Sequence, residues 1–180
     1  MGTPSSLVWI LALCLVDVVG SVLLEANGAG EAGSADQIAV SVRTNDIATA
    51  SLLEQALRRS STIQRLVAEI QTSDVMLMLA LTNDRSVRGR TQFGSAQDGV
   101  RMVITRISTF LIHDERLAVL GHELQHVCEI AAAPEVTDQA AIRRHFERIG
   151  DRTSWSRDSY ETAAAVEIER RVLNEVQRVR

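Results

Sequence analysis

Between Leu117 and Ile130 the chain reads Leu-Ala-Val-Leu-Gly-His-Glu-Leu-Gln-His-Val-Cys-Glu-Ile, and this stretch constrains the fold more than any other. Leu117, Leu120, Leu124, Val127 and Ala131 recur at helical spacing, which predicts a helix with that stripe laid on a core. His122 and His126 then stand one turn apart on another face, turned towards a cleft. Two imidazoles at i, i+4 can chelate one divalent ion such as Zn²⁺. Glu123, beside the first of them, can take a proton from water held there.

The flanks extend the pattern. Val119 and Leu120 precede the motif, uncharged Leu124 and Gln125 lie inside it, and Val127 and Cys128 follow. With these residues the stretch resembles the active-site helix of zincin metallopeptidases, and it is similar to the helix of small exported bacterial zincin-like proteins. The resemblance is specific over this helix and loose over the rest of the C-terminal half. It implies zinc as cofactor, His122 and His126 as metal ligands, Glu123 as general base, and a peptide or protein as substrate.

One domain accounts for 180 residues, and 46% hydrophobic content is enough to bury a core. Aromatics are only 3%, so that core must be built from Leu, Ile, Val and Ala. A net charge of −4, with arginines scattered and no lysine at all, argues against nucleic acid as a partner. The two cysteines, Cys14 and Cys128, fall in an N-terminal apolar run and in the metal helix, a poor pairing for a structural disulfide. Cys128 stands two residues after His126, which on a helix turns it from the ligand face and makes it a small core residue.

The N-terminus carries apolar runs from Leu7 to Val16 and from Val18 to Leu24, followed by the small-residue site Ala26-Asn27-Gly28. Residues 1–28 thus resemble a signal peptide or N-terminal membrane anchor, which predicts export. Asp17, and the lack of a basic residue ahead of the run, leave a buried N-terminal helix as the other reading. Residues 29–36, rich in Gly, Ala and Ser, read as a linker to a domain spanning 37–180.

Within that domain, Ile38 to Val42 suits an edge strand, and helices are expected over Asp46–Arg59 and Thr62–Ile70, with Ser60-Ser61 as the break or N-cap between them. Asp74–Leu81 suits a central strand. Asn83–Gly99 is polar and reads as loop or irregular hairpin. Val100–Ser108 alternates, with Arg101, Val103, Thr105 and Ile107 on one face, and is expected antiparallel to the preceding strand. Asp114 is a candidate N-cap for the metal helix. Asp138–Ile149 closed by Gly150, and a last helix from Ser159 to about Arg178, complete the chain. The expected fold class is α+β: a small zincin-like domain, mostly helical, with a short antiparallel sheet beside the His-Glu-x-x-His helix.

Two histidines hold zinc weakly, so a third protein ligand is needed. The metzincin pattern is excluded, because it requires Gly where Glu129 stands and His where Ala132 stands. Glu161, in Tyr-Glu-Thr-Ala-Ala, resembles the second-helix glutamate of gluzincins, though the acidic residue that often follows it is alanine here. It is expected in the first turn of the last helix, near the buried side. Glu129 shares the ligand face at i+7 from His122 and is its rival, or else bonds a ligand histidine from behind. His145 and Asp158 also remain open. Tyr160, His145 or an arginine can stabilise the oxyanion, and the Val100–Ser108 strand can offer an edge for an extended peptide.

The expected activity is zinc-dependent peptide-bond hydrolysis. The alternative is a non-catalytic metal-binding zincin-like domain with a binding or regulatory role. A di-iron helical protein is disfavoured, since it needs two Glu-x-x-His motifs and this chain has one.

Overall fold

The computed structural model describes residues 41–152 and 160–178. The expected signal or anchor segment, the linker and Asp158 lie outside the described residues. In chain order the elements begin with β1 (Val42–Thr44), α1 (Ile47–Arg59), α2 (Ser61–Gln71), β2 (Val75–Thr82), β3 (Gly89–Gln97) and β4 (Val100–Ser108). They continue with α3 (His113–Ala131), α4 (Gln139–Ile149), β5 (Asp151–Arg152), β6 (Tyr160–Glu161) and α5 (Ala163–Arg178).

The fold is mixed α and β, with a four-stranded sheet in the order β1-β2-β4-β3. The expectation of an antiparallel sheet needs correction: β1 runs parallel to β2, β2 runs parallel to β4, and only β3 is antiparallel, against β4. The reason lies in the segment read as loop or irregular hairpin. It contains β3, which turns at Asp98-Gly99, both with positive φ, and takes the outer edge. β4 then inserts between β2 and β3, so it has no free edge for a peptide; the free edge belongs to β3. With Gly-Arg-Thr-Gln-Phe-Gly-Ser-Ala-Gln as its sequence, β3 shows no apolar alternation, as an edge strand often does not.

The alternation in β4 is realised. Arg101, Val103, Thr105 and Ile107 are buried, and they align in register with Val75, Leu77, Leu79 and Leu81 of β2. The largest fully buried side chains are aliphatic, among them Ile63, Leu66, Ile70, Leu77, Leu120 and Leu124.

Caps explain most helix boundaries. Asp46 accepts from Thr49 N at 2.8 Å, Ser60 from Ile63 N at 3.1 Å and Asp138 from Ala141 N at 2.7 Å. The expected Asp114 cap is the exception. α3 starts two residues earlier, after Ile112, and Asp114 is buried inside its first turn, 3.1 Å from the Arg59 guanidinium. α5 also starts later than expected, because Tyr160 and Glu161 pair with Arg152 and Asp151 as β6 and β5.

Arg101, only 3% exposed, anchors α3 to the sheet. Its guanidinium forms a two-point contact with Asp74 at 2.6 and 2.7 Å. It also donates to the carbonyls of Ile130, Ala131 and Ala133 at the C-terminal end of α3, at 2.9, 3.2 and 2.7 Å. Arg101 thus adds a charged donor to carbonyls around the helix end, where intrahelical donors run out.

Arg101→Met is therefore expected to cost about 3 kcal/mol in denaturant unfolding. The Arg101 hydrogen bond holds the Asp74 carboxyl below the usual carboxylate range. The folded value is depressed, so this contribution is complete above the ordinary carboxylate range and is lost as pH falls below it through the folded value. Stability against pH should fall on that acid side more shallowly in Arg101→Met than in the parent.

Candidate metal centre

α3 is buried on nearly every side, not only on its apolar back. Leu117, Leu120, Leu124 and Val127 are fully buried, and so, to within 8%, are His122, Glu123 and His126. The histidines therefore do not face an open cleft as expected. α5 lies across them, and Gly121 makes this possible: a methyl there would stand 2.7 Å from Val172 Cγ2. Ala165, Ile168 and Val172 are the buried positions of α5.

The two imidazoles converge. Nε2 of His122 lies 3.1 Å from Nε2 of His126, with the rings edge to face at 4.8 Å between centroids. Two nitrogens about 2.0–2.1 Å from a tetrahedral zinc ion are about 3.3 Å apart, so this pair fits two corners of one coordination sphere. Each ring has a carboxylate behind it. Glu129 Oε2 is 2.8 Å from His126 Nδ1, and Thr162 Oγ1 donates to the other oxygen of Glu129 at 2.7 Å. Glu169 Oε2 approaches His122 Nδ1 at 3.1 Å without hydrogen-bond alignment, while its other oxygen meets Arg88 at 2.9 Å. The Glu129 bond favours the Nδ1–H tautomer of His126 and leaves its Nε2 lone pair for a proton on Nε2 of His122 or for a metal in that proton's place.

The charges agree with that geometry. Burial pushes the His122 pKa down, but the carboxylates of Glu169, Glu123 and Glu161 outweigh it and the net shift is upward. Burial raises Glu129, yet its bonds to His126 and Thr162 win and hold it below the usual range. Glu169 is lowered too, by His122 first and against the cost of burial. A buried pair of imidazoles ringed by carboxylates is an environment that a cation relieves.

Glu123 points to β3. Its Oε2 accepts from Thr91 Oγ1 at 2.7 Å, and Thr91 in turn meets Thr105 Oγ1 at 2.9 Å. Gly89, at the start of β3, lets the strand pass directly over the carboxylate: a Cβ there would stand 2.5 Å from Glu123 Oε1.

Glu161 is exposed in β6, two residues ahead of α5 rather than in its first turn, and it reaches His122 by charge. Among the described residues no three His, Cys, Asp or Glu side chains are arranged to hold a metal ion. His145 is buried on α4, with Nδ1 3.0 Å from Arg148, and Phe146 stands against both it and His126. Tyr160 donates its hydroxyl to Glu147 at 2.8 Å. Cys128 is buried behind the site, its thiol directed at Leu66 O and pushed by burial up to about 12, an inert core residue.

Glu169, Thr91 and Thr162 were not anticipated from the sequence. Glu169 had a signal: it falls in the helical row of buried Ala165, Val172 and Val176, where a carboxylate needs a partner. Thr91 had none, lying in a polar strand far from the motif.

Gly89→Ala is expected to destabilise the protein by about 1–3 kcal/mol through overpacking against Glu123 and Val119. Denaturant unfolding checks this, and part of the loss should disappear when the same change is made in a Glu123→Ala background.

No family model, curated protein or solved structure matches this chain.

Proposed function

We propose that the chain is a zinc-dependent hydrolase of peptide bonds. The observation that carries this reading is the convergence of the His122 and His126 Nε2 atoms at 3.1 Å, with a carboxylate behind each ring and Glu123 alongside. His122 and His126 would hold the ion, with Glu161 as the third protein ligand. Glu161 belongs to β6, exposed and ahead of α5, so its side chain would have to turn inward to join the histidines.

Zinc bound there would supply Lewis acidity and lower the pKa of its water. Glu123 takes the proton of the attacking water and returns it to the leaving amine. Thr91 and Gly89 fix where that carboxylate sits, and Glu129 and Glu169 keep the imidazoles in orientation. An extended peptide is best accommodated on β3, whose free edge passes over Glu123. Arg88 O accepts from Ser108 N at 2.9 Å, so alternate residues Arg88, Arg90 and Gln92 bond inward to β4. Gly89, Thr91 and Phe93 then turn their main-chain groups outward. Gln139 Oε1 already accepts from Phe93 N at 2.9 Å, which leaves Gly89 and Thr91 for pairing nearest the base.

The decisive experiment compares three proteins. The parent, loaded with zinc, is expected to bind about one ion per chain and to cleave a peptide library, with activity lost to a chelator. Glu123→Gln should keep zinc affinity and lose hydrolysis by about 10²–10⁴-fold. Glu161→Ala should lose zinc affinity first, with activity partly restored by excess zinc. Stoichiometric zinc with no hydrolysis by the parent would favour the alternative of a non-catalytic binding module.

We also propose that the protein works outside the cytoplasm, through the Leu7–Leu24 segment. No helix among the described residues is long and apolar enough to cross a membrane. N-terminal sequencing of protein from the native host should find a start near Gly28, or an intact chain in the membrane fraction. A soluble cytoplasmic product beginning at Met1 would overturn this.

A further inference from the structure

We infer that Thr91 is a positioning residue for Glu123, a role that rests on the hydrolase reading. A carboxylate can only accept, so the 2.7 Å contact between Thr91 Oγ1 and Glu123 Oε2 consumes the single hydroxyl proton of Thr91. Towards Thr105 the same oxygen must therefore act as acceptor, and the 2.9 Å contact runs from the Thr105 hydroxyl to Thr91. Thr105 is fully buried in β4, between β2 and β3, so it is a fixed donor. The result is a directed chain from the sheet interior to the base: Thr105 orients Thr91, and Thr91 holds Glu123.

The other carboxylate oxygen is fixed by shape. Oε1 of Glu123 lies against Gly89, where a methyl would come within 2.5 Å. Glu123 is thus held by a hydrogen bond at Thr91 and a close contact at Gly89, two positions apart on one face of one strand. Hydrogen bonds to a buried charged group are the stronger kind, and a base displaced by a fraction of an ångström loses rate while its helix and the neighbouring histidines stay in place. The main chain of Thr91 faces the free edge of β3. One residue therefore presents backbone to a docked peptide and side chain to the base, so docking and base orientation are set by the same strand.

The test uses full-length protein carrying Thr91→Val, which is isosteric and suits a strand, together with Thr91→Ser and Thr105→Val. Expected for Thr91→Val is a fall in kcat of about ten- to a hundredfold, with KM and zinc dissociation constant within about twofold of the parent. Thr91→Ser restores the donor and should recover most of the rate, and Thr105→Val should give a smaller loss than Thr91→Val. A readout independent of turnover comes from the zinc-free protein. There Thr91→Val should lower the melting temperature more in the parent than in a Glu123→Ala background.

Full kcat in Thr91→Val, no recovery in Thr91→Ser, or equal melting shifts in both backgrounds would each overturn the positioning role. So would a loss of zinc affinity that accounts for the whole loss of rate. A parent that binds zinc yet hydrolyses nothing overturns the hydrolase reading, and the positioning role with it, which separates that failure from the others.

Discussion

Burying α3 on nearly every side obliges the rest of the chain to supply partners for its polar side chains. Asp114, His122, Glu123 and His126 are each at most 8% exposed. In a low-dielectric interior an unpaired group of this kind costs a large part of a domain's net stability. Asp114 is met by Arg59 at the end of α1, Glu123 by Thr91 of β3, and His122 by Glu169 of α5. His126 is met by Glu129 of α3 itself, braced by Thr162 at the start of α5. The carbonyls at the helix's C-terminal end go to Arg101 of β4. Most of these partners belong to elements other than α3, so the polar face of one helix requires the layers around it to assemble in one way.

The same demand explains the role of α5. It approaches α3 closely only because Gly121 offers no side chain, and the approach brings Glu169 to His122 while Ile168 and Val172 seal the contact. At its other end, Glu175 accepts from Ser60, from Ser61 and from Thr62, so α5 also caps the start of α2. Arg59 reaches the carbonyl of Val176 as well as Asp114. α5 is thereby fastened at several points along its length, which suits a helix whose carboxylate must hold an imidazole steady.

Burying a carboxylate and keeping it next to unpaired main chain are opposing demands, and β3 meets both. A buried carboxylate is well fixed but far from the surface. Passing an edge strand directly over Glu123, with glycine at the point of contact, brings unpaired main chain beside a buried carboxylate without opening the core. The Phe93–Gly94–Ser95 irregularity and the Gln139 contact end the regular edge soon afterwards. The regular free edge of β3 is thus confined to the neighbourhood of Glu123.

The sequence by itself determined the helix of the His-Glu-x-x-His motif, its apolar back, the pairing of His122 and His126 on one face, and the alternation that buries one side of β4. Each follows from local periodicity, which a single helix or strand imposes on its own residues. Ser60 and Asp138 were legible as helix boundaries for the same local reason. What only the tertiary structure decided is everything that depends on which element lies beside which. The parallel pairing of β2 with β4 arose because a polar strand took the edge. The capture of Asp114 by Arg59 displaced it from the cap position. The carboxylate behind His122 proved to be Glu169, and the hydroxyl on Glu123 came from Thr91. These contacts join residues far apart in the chain, and their side chains are ordinary surface types in sequence. Only burial of α3 makes them necessary.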